Sequence, residues 1–170
     1  ACAPRETSAR DMAEMMVGAI LAVPKRDAPN LGHEALAVTG LSVTSPSAFG
    51  MTLKDISFSV QSGEVLGIGG VAGNGQDELL GVLSGELPSA RGMVKFKGRD
   101  LSGTGPEARR TLGLLAAPEE RLGHAAAPNM SLIENALLTG AAREVLASRG
   151  LLNWAETRVF AERIISDFDV

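Results

Sequence analysis

The amino-acid sequence predicts an α/β fold in which a small antiparallel sheet accompanies a parallel core sheet. Three observations lead to this prediction: segments of alternating polarity, two short runs without polar side chains at 65–70 and 113–117, and helical patterns between and after those runs. Alternation is typical of strands with one solvated face, whereas wholly apolar runs indicate strands buried on both faces. Helices covering the parallel core sheet on either side would complete the architecture.

The predicted antiparallel sheet consists of three alternating segments, LAVTGLSV (36–43), DISFSV (55–60) and MVKFK (93–97). DISFSV alternates most regularly, because isoleucine, phenylalanine and valine occupy every second position and serines lie between them. In MVKFK the two lysines are predicted to face away from the valine and the phenylalanine. Such half-solvated strands favour antiparallel pairing.

A first helix is predicted within TSARDMAEMMVGAILAV (7–23), which carries apolar residues at helical spacing. Ser8 is the predicted N-cap, with Asp11 three residues later, and Pro24 closes the segment. The stretch that follows, 24–34, is rich in proline, charge and glycine, and this composition is typical of a linker.

Three further helices are predicted. An apolar stripe within 79–83 is followed by Gly85 in the position of a C-terminal cap. Ser131 and Glu134 have the spacing of a capping box, and Asn153 with Glu156 repeats it before the last helix. The predicted apolar face of that last helix consists of Trp154, Val159, Phe160 and Ile164.

The composition is that of one globular domain, with 170 residues, 45% of them hydrophobic and 21% charged. The net charge of −4 gives no electrostatic support for a nucleic-acid partner, which a basic face would indicate. The single cysteine, Cys2, excludes an internal disulfide and fits a reducing compartment. No segment reaches the roughly 20 apolar residues of a membrane span.

The stretch GVAGNGQDE (70–78) has the context of a phosphate-binding loop, because a predicted strand ends at Gly70 and a helix is predicted to begin near Gln76. Gly73 and Gly75 allow backbone N–H groups to converge without obstruction by a Cβ, and the helix N-terminus adds partial positive charge. The predicted nucleotide-binding residues are Gly70, Val71, Ala72, Gly73, Asn74, Gly75, Gln76, Asp77 and Glu78.

The same loop departs from the form GxxxxGK[ST], because Gln76 and Asp77 occupy the lysine and hydroxyl positions. The lysine would contact the β- and γ-phosphates, and the hydroxyl would hold Mg²⁺. Gln76 can donate a hydrogen bond but brings no charge, which should weaken nucleotide binding by about tenfold. Asp77, the candidate metal ligand, and Glu78 suit a helix N-terminus but compete with phosphate for its dipole. The loop is therefore predicted to hold a nucleotide weakly rather than to cleave it.

An alternative pattern overlaps the loop, since Gly67–Ala72 fits the dinucleotide fingerprint G-x-G-x-x-A and Glu86 follows 19 residues after Gly67. This alternative requires Glu86 to end a second apolar strand. It also requires a helix that begins near Gly69 and contains two further glycines, which is costly.

Two long segments carry a family resemblance. LKDISFSVQSGEVLGIGGVAGNGQDELLGVLSGELPSARGMVKFKGRDL (53–101) resembles the nucleotide-binding domains of ABC transporters. More narrowly, it resembles the second, C-terminal cassette of the fused ATPase subunits of ribose, simple-sugar and nucleoside importers, which often carries a GNGQ-like loop. LGLLAAPEERLGHAAAPNMSLIENALL (112–138) is similar to the part of such cassettes with a P-E-x-R sequence and a "MSxxEN" helix start.

The resemblance implies a P-loop NTPase core with an antiparallel β subdomain and the start of a helical subdomain, in a truncated chain. Residues 1–34 would be the tail of a preceding cassette plus linker, since MAEMMVGAILAV resembles the helix that ends a first cassette. Residues 35–170 would be the N-terminal part of the second cassette, without the signature motif or Walker B strand. The parent would be a transport ATPase, and this chain alone would be inactive.

Further expectations follow from the resemblance. The loop would bind or prop ATP, with Mg²⁺ weak or absent, while hydrolysis at the partner site drives transport. Phe49 would stack on adenine, and Glu119 lies where ordinary cassettes place the Q-loop glutamine. The partners would be membrane permease subunits and the first cassette of the same or a second subunit, at the cytoplasmic inner face of the plasma membrane. The alternatives are a non-ATPase module that docks the membrane subunit and a dinucleotide-binding enzyme.

Overall fold

The computed structural model describes residues 7–18, 30–141, 144 and 146–169. These residues fall into two units, divided between Asn30 and Leu31. The first unit contains helix α1 (Ala9–Val17), and the second contains all other elements described below. No helix in the described ranges is long and apolar enough to cross a membrane.

Helix α1 begins with the predicted capping box. The Ser8 hydroxyl accepts a hydrogen bond from the Asp11 backbone N–H at 3.1 Å, and the Asp11 carboxylate accepts one from the Ser8 N–H at 3.0 Å. The Ser8 hydroxyl also donates to the Asp11 carboxylate at 2.7 Å, and this bond, together with the one from the Ser8 N–H, lowers the pKa of the Asp11 carboxyl. The helix ends where Gly18 adopts a left-handed conformation, with φ of 73°. The predicted end at Pro24 lies outside the described residues.

The predicted antiparallel sheet is confirmed and gains a short fourth strand. Its strands are β1 (Glu34–Val43), β2 (Leu53–Gln61), β3 (Val94–Phe96) and β4 (Arg99–Asp100), in the order β2-β1-β3-β4 with every neighbouring pair antiparallel. In β3 the valine and phenylalanine are buried and the lysine between them is exposed, as the alternation predicts.

Helix α2 (Gln76–Ser84) packs on this sheet. Val82 of α2 is fully buried in one cluster with Val38 and Leu41 of β1. Gly85 ends the helix in a left-handed conformation with φ of 92°, which confirms the predicted cap. Helix α3 (Pro106–Leu112) follows the turn after β4. The core of this unit therefore lies between α2 and the sheet.

Helices α4 (Leu132–Gly140) and α5 (Trp154–Phe168) pack against each other, with the short strands β5 (Ala147–Ser148) and β6 (Leu151–Leu152) between them in sequence. The Ser131 and Glu134 capping box forms as predicted. A Cβ at Gly140 would lie 2.6 Å from the ring of Phe160, so only glycine permits this close packing of the two helices.

The predicted apolar face of α5 is wrong in part. Trp154 and Val159 are 50% and 60% exposed, whereas the buried residues of α5 are Thr157 and Ala161. Thr157 can be buried because its hydroxyl donates to the Asn153 carbonyl at 2.7 Å. The Asn153 side chain accepts from the Glu156 N–H at 3.2 Å, which confirms Asn153 as the N-cap. The predicted capping box forms only in this half, because the Asn153 N–H donates to the Leu146 carbonyl at 2.8 Å instead of to Glu156. Because a local hydrogen bond satisfies its hydroxyl, Thr157 lies on the buried face of α5, which differs from the face that the apolar residues predicted.

The two predicted core strands at 65–70 and 113–117 do not form. Both segments lack strand pairing within the described part of the chain, and Val65, Ile68 and Leu115 are 82%, 54% and 53% exposed. A strand exists only as a partner in a ladder, and a parallel strand buried on both faces also needs neighbours that cover it. The described residues supply neither, so the two apolar runs remain irregular and the sheet observed is wholly antiparallel.

Candidate functional site

The glycine-rich loop lies directly before α2, as predicted from the sequence. Gly73 and Gly75 have φ of 82° and 97°, values that residues with a Cβ rarely adopt. Gly75 is the N-cap of α2 and makes no side-chain capping hydrogen bond. A Cβ at Gly75 would also lie 2.9 Å from Leu53 Cδ2, so a larger residue there would have to displace the leucine side chain as well as adopt an unfavourable φ.

Several backbone amides of the loop have no protein acceptor. Asn74 N–H donates to the Val71 carbonyl at 3.2 Å, and Leu79 N–H donates to the Gly75 carbonyl at 2.9 Å. In the described ranges, by contrast, no acceptor is recorded for the amides of Gly73, Gly75, Gln76 and Asp77. Amides of this kind at a helix N-terminus are the groups that bind phosphate oxygens.

The Gln76 side chain folds back across the loop. Its Nε2 donates to the Val71 carbonyl at 3.0 Å, and its Oε1 accepts from Asn74 N–H at 3.0 Å. A Cβ at Gly70 would lie 2.5 Å from the same Nε2, so glycine at 70 leaves room for this glutamine. The residue at the lysine position therefore closes the loop on itself with a neutral bridge. Sequence reasoning missed this bridge, which no spacing rule encodes.

The two acidic residues after Gln76 differ in their surroundings. Asp77 is exposed, whereas Glu78 Oε1 accepts a hydrogen bond from Met51 N–H at 2.9 Å. That backbone hydrogen bond is the main cause of the lowered pKa of the Glu78 carboxyl. Glu78 thus ties the segment before β2 to the first turn of α2. Phe49, two residues before Met51, is 98% exposed, so its ring is open to solvent near this connection.

Glu119 and Asp77 line the same open cavity, whose volume is about 520 Å³. Its other walls are α2 and the loop that contains Pro118, Glu120 and His124. In the described part of the chain, no group of three or more histidine, cysteine, aspartate or glutamate residues could hold a metal ion. Mg²⁺ in nucleotide sites takes only one or two carboxylates together with phosphates and water, so the exposed Asp77 carboxylate fits as one such ligand.

His124 connects this loop to the end of α2. Its Nε2 lies 3.0 Å from Glu86 Oε1. Glu86 follows the Gly85 cap of α2 rather than ending a strand, and the helix begins at Gln76 rather than near Gly69. The dinucleotide alternative is therefore wrong, because its acidic residue and its helix both lie in the wrong places.

Comparison with known proteins agrees with this geometry. Residues 53–167 match the family described as ABC transporter. The glucose import ATP-binding protein TsgD13 of Haloferax volcanii is 32% identical over 166 residues, which cover 97% of this chain and 30% of that protein. The guanosine import ATP-binding protein NupO of Bacillus subtilis is 29% identical over 167 residues, covering 98% and 32%. The nucleoside import ATP-binding protein NupA of Lactococcus lactis is 25% identical over 162 residues, covering 95% and 32%.

The chain spans about a third of the length of these relatives. The family match runs from the start of β2 almost to the end of α5 and includes the glycine loop. A P-loop NTPase domain of this family binds ATP, in general with Mg²⁺. From the loop, the sheet and the matched residues together, we conclude that this chain belongs to the ABC transporter family.

Proposed function

We propose that this chain is part of the ATP-binding subunit of an importer for sugars or nucleosides, and that its glycine loop holds or props a nucleotide without cleaving it. The observation that carries the proposal is the loop itself. Its left-handed glycines present amides that have no acceptor among the described residues at a helix N-terminus, while Gln76 takes the position of the phosphate-binding lysine.

The energetics of the loop favour holding a nucleotide over cleaving it. Amides at a helix N-terminus can bind phosphate oxygens whatever residue occupies position 76. A hydrogen bond from a charged group contributes about 1.5–3 kcal/mol against roughly 1 kcal/mol for a neutral one, so glutamine lowers affinity by about tenfold. Asp77 would supply one Mg²⁺ ligand, but its charge and that of Glu78 oppose the phosphates at the same helix end. Hydrolysis at the partner site would then drive transport.

We further infer the domain arrangement. Residues 1–34 would be the end of a preceding cassette plus linker, and residues 35–170 the first part of a second cassette. Three findings support this: the chain divides into two units between Asn30 and Leu31, the family match begins only at residue 53, and the relatives are about three times as long as this chain. The exposed apolar run at 65–70 has the composition of a core strand, and such a strand would be buried only where parallel neighbouring strands cover it.

The inferred partners are the membrane permease subunits and the first cassette of the same or a second subunit. The names of the relatives, all import ATP-binding proteins, support this inference. The surface from Glu119 to Asn129 and the start of α4 would face the permease, with Glu119 in the Q-loop position. Phe49 would stack on adenine, because its exposed ring belongs to the segment that Glu78 ties to α2. The subunit would lie at the cytoplasmic face of the plasma membrane.

Calorimetric titration of the chain with MgATP tests the proposal. Gly73→Ala places a Cβ at a left-handed position of the loop, and Gly103→Ala does the same in the turn after β4. Neither Cβ would meet another atom within 4 Å, so the two variants match in strain and differ only in place. We expect weak binding to the unaltered chain and to Gly103→Ala, and at least tenfold weaker binding to Gly73→Ala.

A second candidate function is a module that only docks the membrane subunit. The closure of the loop by Gln76 favours it, because the bridge occupies loop groups without any ligand. If the unaltered chain gave no heat at millimolar MgATP, this second candidate would replace the first.

A further inference from the structure

Arg109 of α3 is a buried arginine that the proposed function does not use. Only 1% of the residue is exposed. Its Nε donates to the carbonyl and the hydroxyl of Thr104, each at 3.1 Å, and its Nη2 donates to the Leu101 carbonyl at 3.0 Å. No carboxylate is among its recorded partners in the described part of the chain, and burial lowers its pKa. Such a charge is costly to bury unless neighbouring dipoles compensate it.

The compensation comes from the C-terminal end of α2. Arg109 Nη1 donates to the Leu83 carbonyl at 3.0 Å and to the Val82 carbonyl as well. Carbonyls in the last turn of a helix have no partner within the helix and carry partial negative charge. Helix α2 has no basic residue of its own in that turn. Arg109 therefore caps α2 from a neighbouring helix.

Gly85 makes room for this cap. A Cβ at Gly85 would lie 2.9 Å from Arg109 Nε and 3.0 Å from the Thr104 carbonyl oxygen. The guanidinium thus joins two segments around the glycine, the end of α2 and the turn 101–104. Because its donors form a rigid planar fork, its bonds to two helix carbonyls and to the turn fix the helix end more closely than a single point charge could.

The opposite end of α2 begins at the phosphate loop. The helix has nine residues, which at 1.5 Å per residue gives a length of about 13 Å. Its first turn is held by the Glu78 bond to Met51 N–H, and its last turn by Arg109. Helix hydrogen bonds form cooperatively and this helix has fewer than three turns, so loosening of its last turn weakens the bonds of the first turn and the arrangement of the loop amides as well.

We propose that Arg109 is a positioning residue for the phosphate loop. It fixes α2 from the C-terminal end, so that the amides of Gly73, Gly75 and Gln76 keep the arrangement that a phosphate would require. The consequence for nucleotide affinity rests on the proposed function, whereas the consequence for the loop can be measured without a nucleotide.

Amide hydrogen exchange followed by NMR on the full chain tests the proposal. Leu79 N–H, bonded to the Gly75 carbonyl at 2.9 Å, reports on the first turn of α2, and Thr39 N–H, bonded to the Met93 carbonyl at 2.9 Å, reports on the sheet. In Arg109→Met, we expect exchange at Leu79 to accelerate about tenfold more than exchange at Thr39. Arg110→Met is the matched control, because Arg110 is the adjacent and exposed arginine of α3.

The outcomes separate positioning from general stability. Equal acceleration at Leu79 and Thr39, or no acceleration at Leu79, would overturn the proposal. Should Arg109→Met not fold, Arg109→Lys keeps the charge without the fork, and the same comparison of the two amides applies to it. MgATP affinity measured in parallel is expected to fall with the loosening of Leu79. If the unaltered chain binds no MgATP, the proposed function fails while the exchange result still decides the role of Arg109.

Discussion

The bridge that Gln76 makes across the glycine loop leads to a prediction for Gln76→Lys. Lysine has no acceptor, so at this position it would remove the bond from Asn74 N–H, and in extending toward a phosphate it would also give up the bond to the Val71 carbonyl. Asn74 N–H would keep its bond to the Val71 carbonyl at 3.2 Å, so the turn retains one of its own contacts. The ammonium group would then be free to meet a phosphate with its charge.

The expected gain in affinity for MgATP follows from these contacts. A charged hydrogen bond to phosphate contributes about 1.5–3 kcal/mol, and loss of the neutral bridge costs roughly 1 kcal/mol per bond in the free and the bound loop alike. Because the site is exposed, solvent and salt reduce the contribution of the charged hydrogen bond toward the lower end of this range. We therefore expect Gln76→Lys to bind MgATP about tenfold more tightly than the unaltered chain, equivalent to about 1.4 kcal/mol.

The assay is calorimetric titration with MgATP at two ionic strengths, and the gain should shrink at the higher one. Gln61→Lys is the matched control, because Gln61 is an exposed glutamine of β2 away from the loop and receives the same change of charge. The reasoning would be refuted if Gln76→Lys bound no more tightly than the unaltered chain, or if Gln61→Lys gained as much.

Two further predictions concern stability. Gly85→Ala should lower the free energy of unfolding, measured in urea, by about 1–3 kcal/mol more than Gly92→Ala does. Both positions have positive φ, but only at Gly85 would the Cβ meet other atoms. Equal losses of stability in the two variants would contradict this prediction. Hydrogen bonds from Ser131 lower the pKa of the Glu134 carboxyl in the folded chain. The ionised carboxylate therefore stabilises the folded state at pH values above the ordinary glutamate pKa of about 4.3, and this stabilisation is lost as pH falls through the lowered pKa. Protection of the backbone amides in the first turn of α4 from hydrogen exchange should accordingly decline as the pH is lowered. In Glu134→Gln the same protection should not depend on pH over that range. A decline in that variant too would contradict the prediction.

The sequence predicted those features whose causes are local. The alternation in 55–60 produced β2, and serine with an acidic residue three positions later produced the capping boxes of α1 and α4. The start of α2 at Gln76 and its end at Gly85 followed from the special conformation of glycine. In each case the residues that determine the structure lie within one turn or one strand of each other.

Features that depend on distant partners could not be predicted in the same way. The run 65–70 is apolar enough for a buried strand, yet whether it becomes one depends on neighbours elsewhere in the fold. The Arg109 cap joins residues 26 and 27 positions apart, and a sequence reading gives a single arginine in a basic stretch no reason to be buried. The candidate loop was found from its glycines, but its closure by Gln76 depends on where a side chain turns.

The exposed apolar run before the loop also governs how the isolated chain behaves in solution. Val65 and Val71 are 82% and 75% exposed, and the segment between them pairs with no strand in the described ranges. An exposed apolar segment with few charges favours association between molecules. Association of purified molecules through this segment is therefore expected to increase with protein concentration.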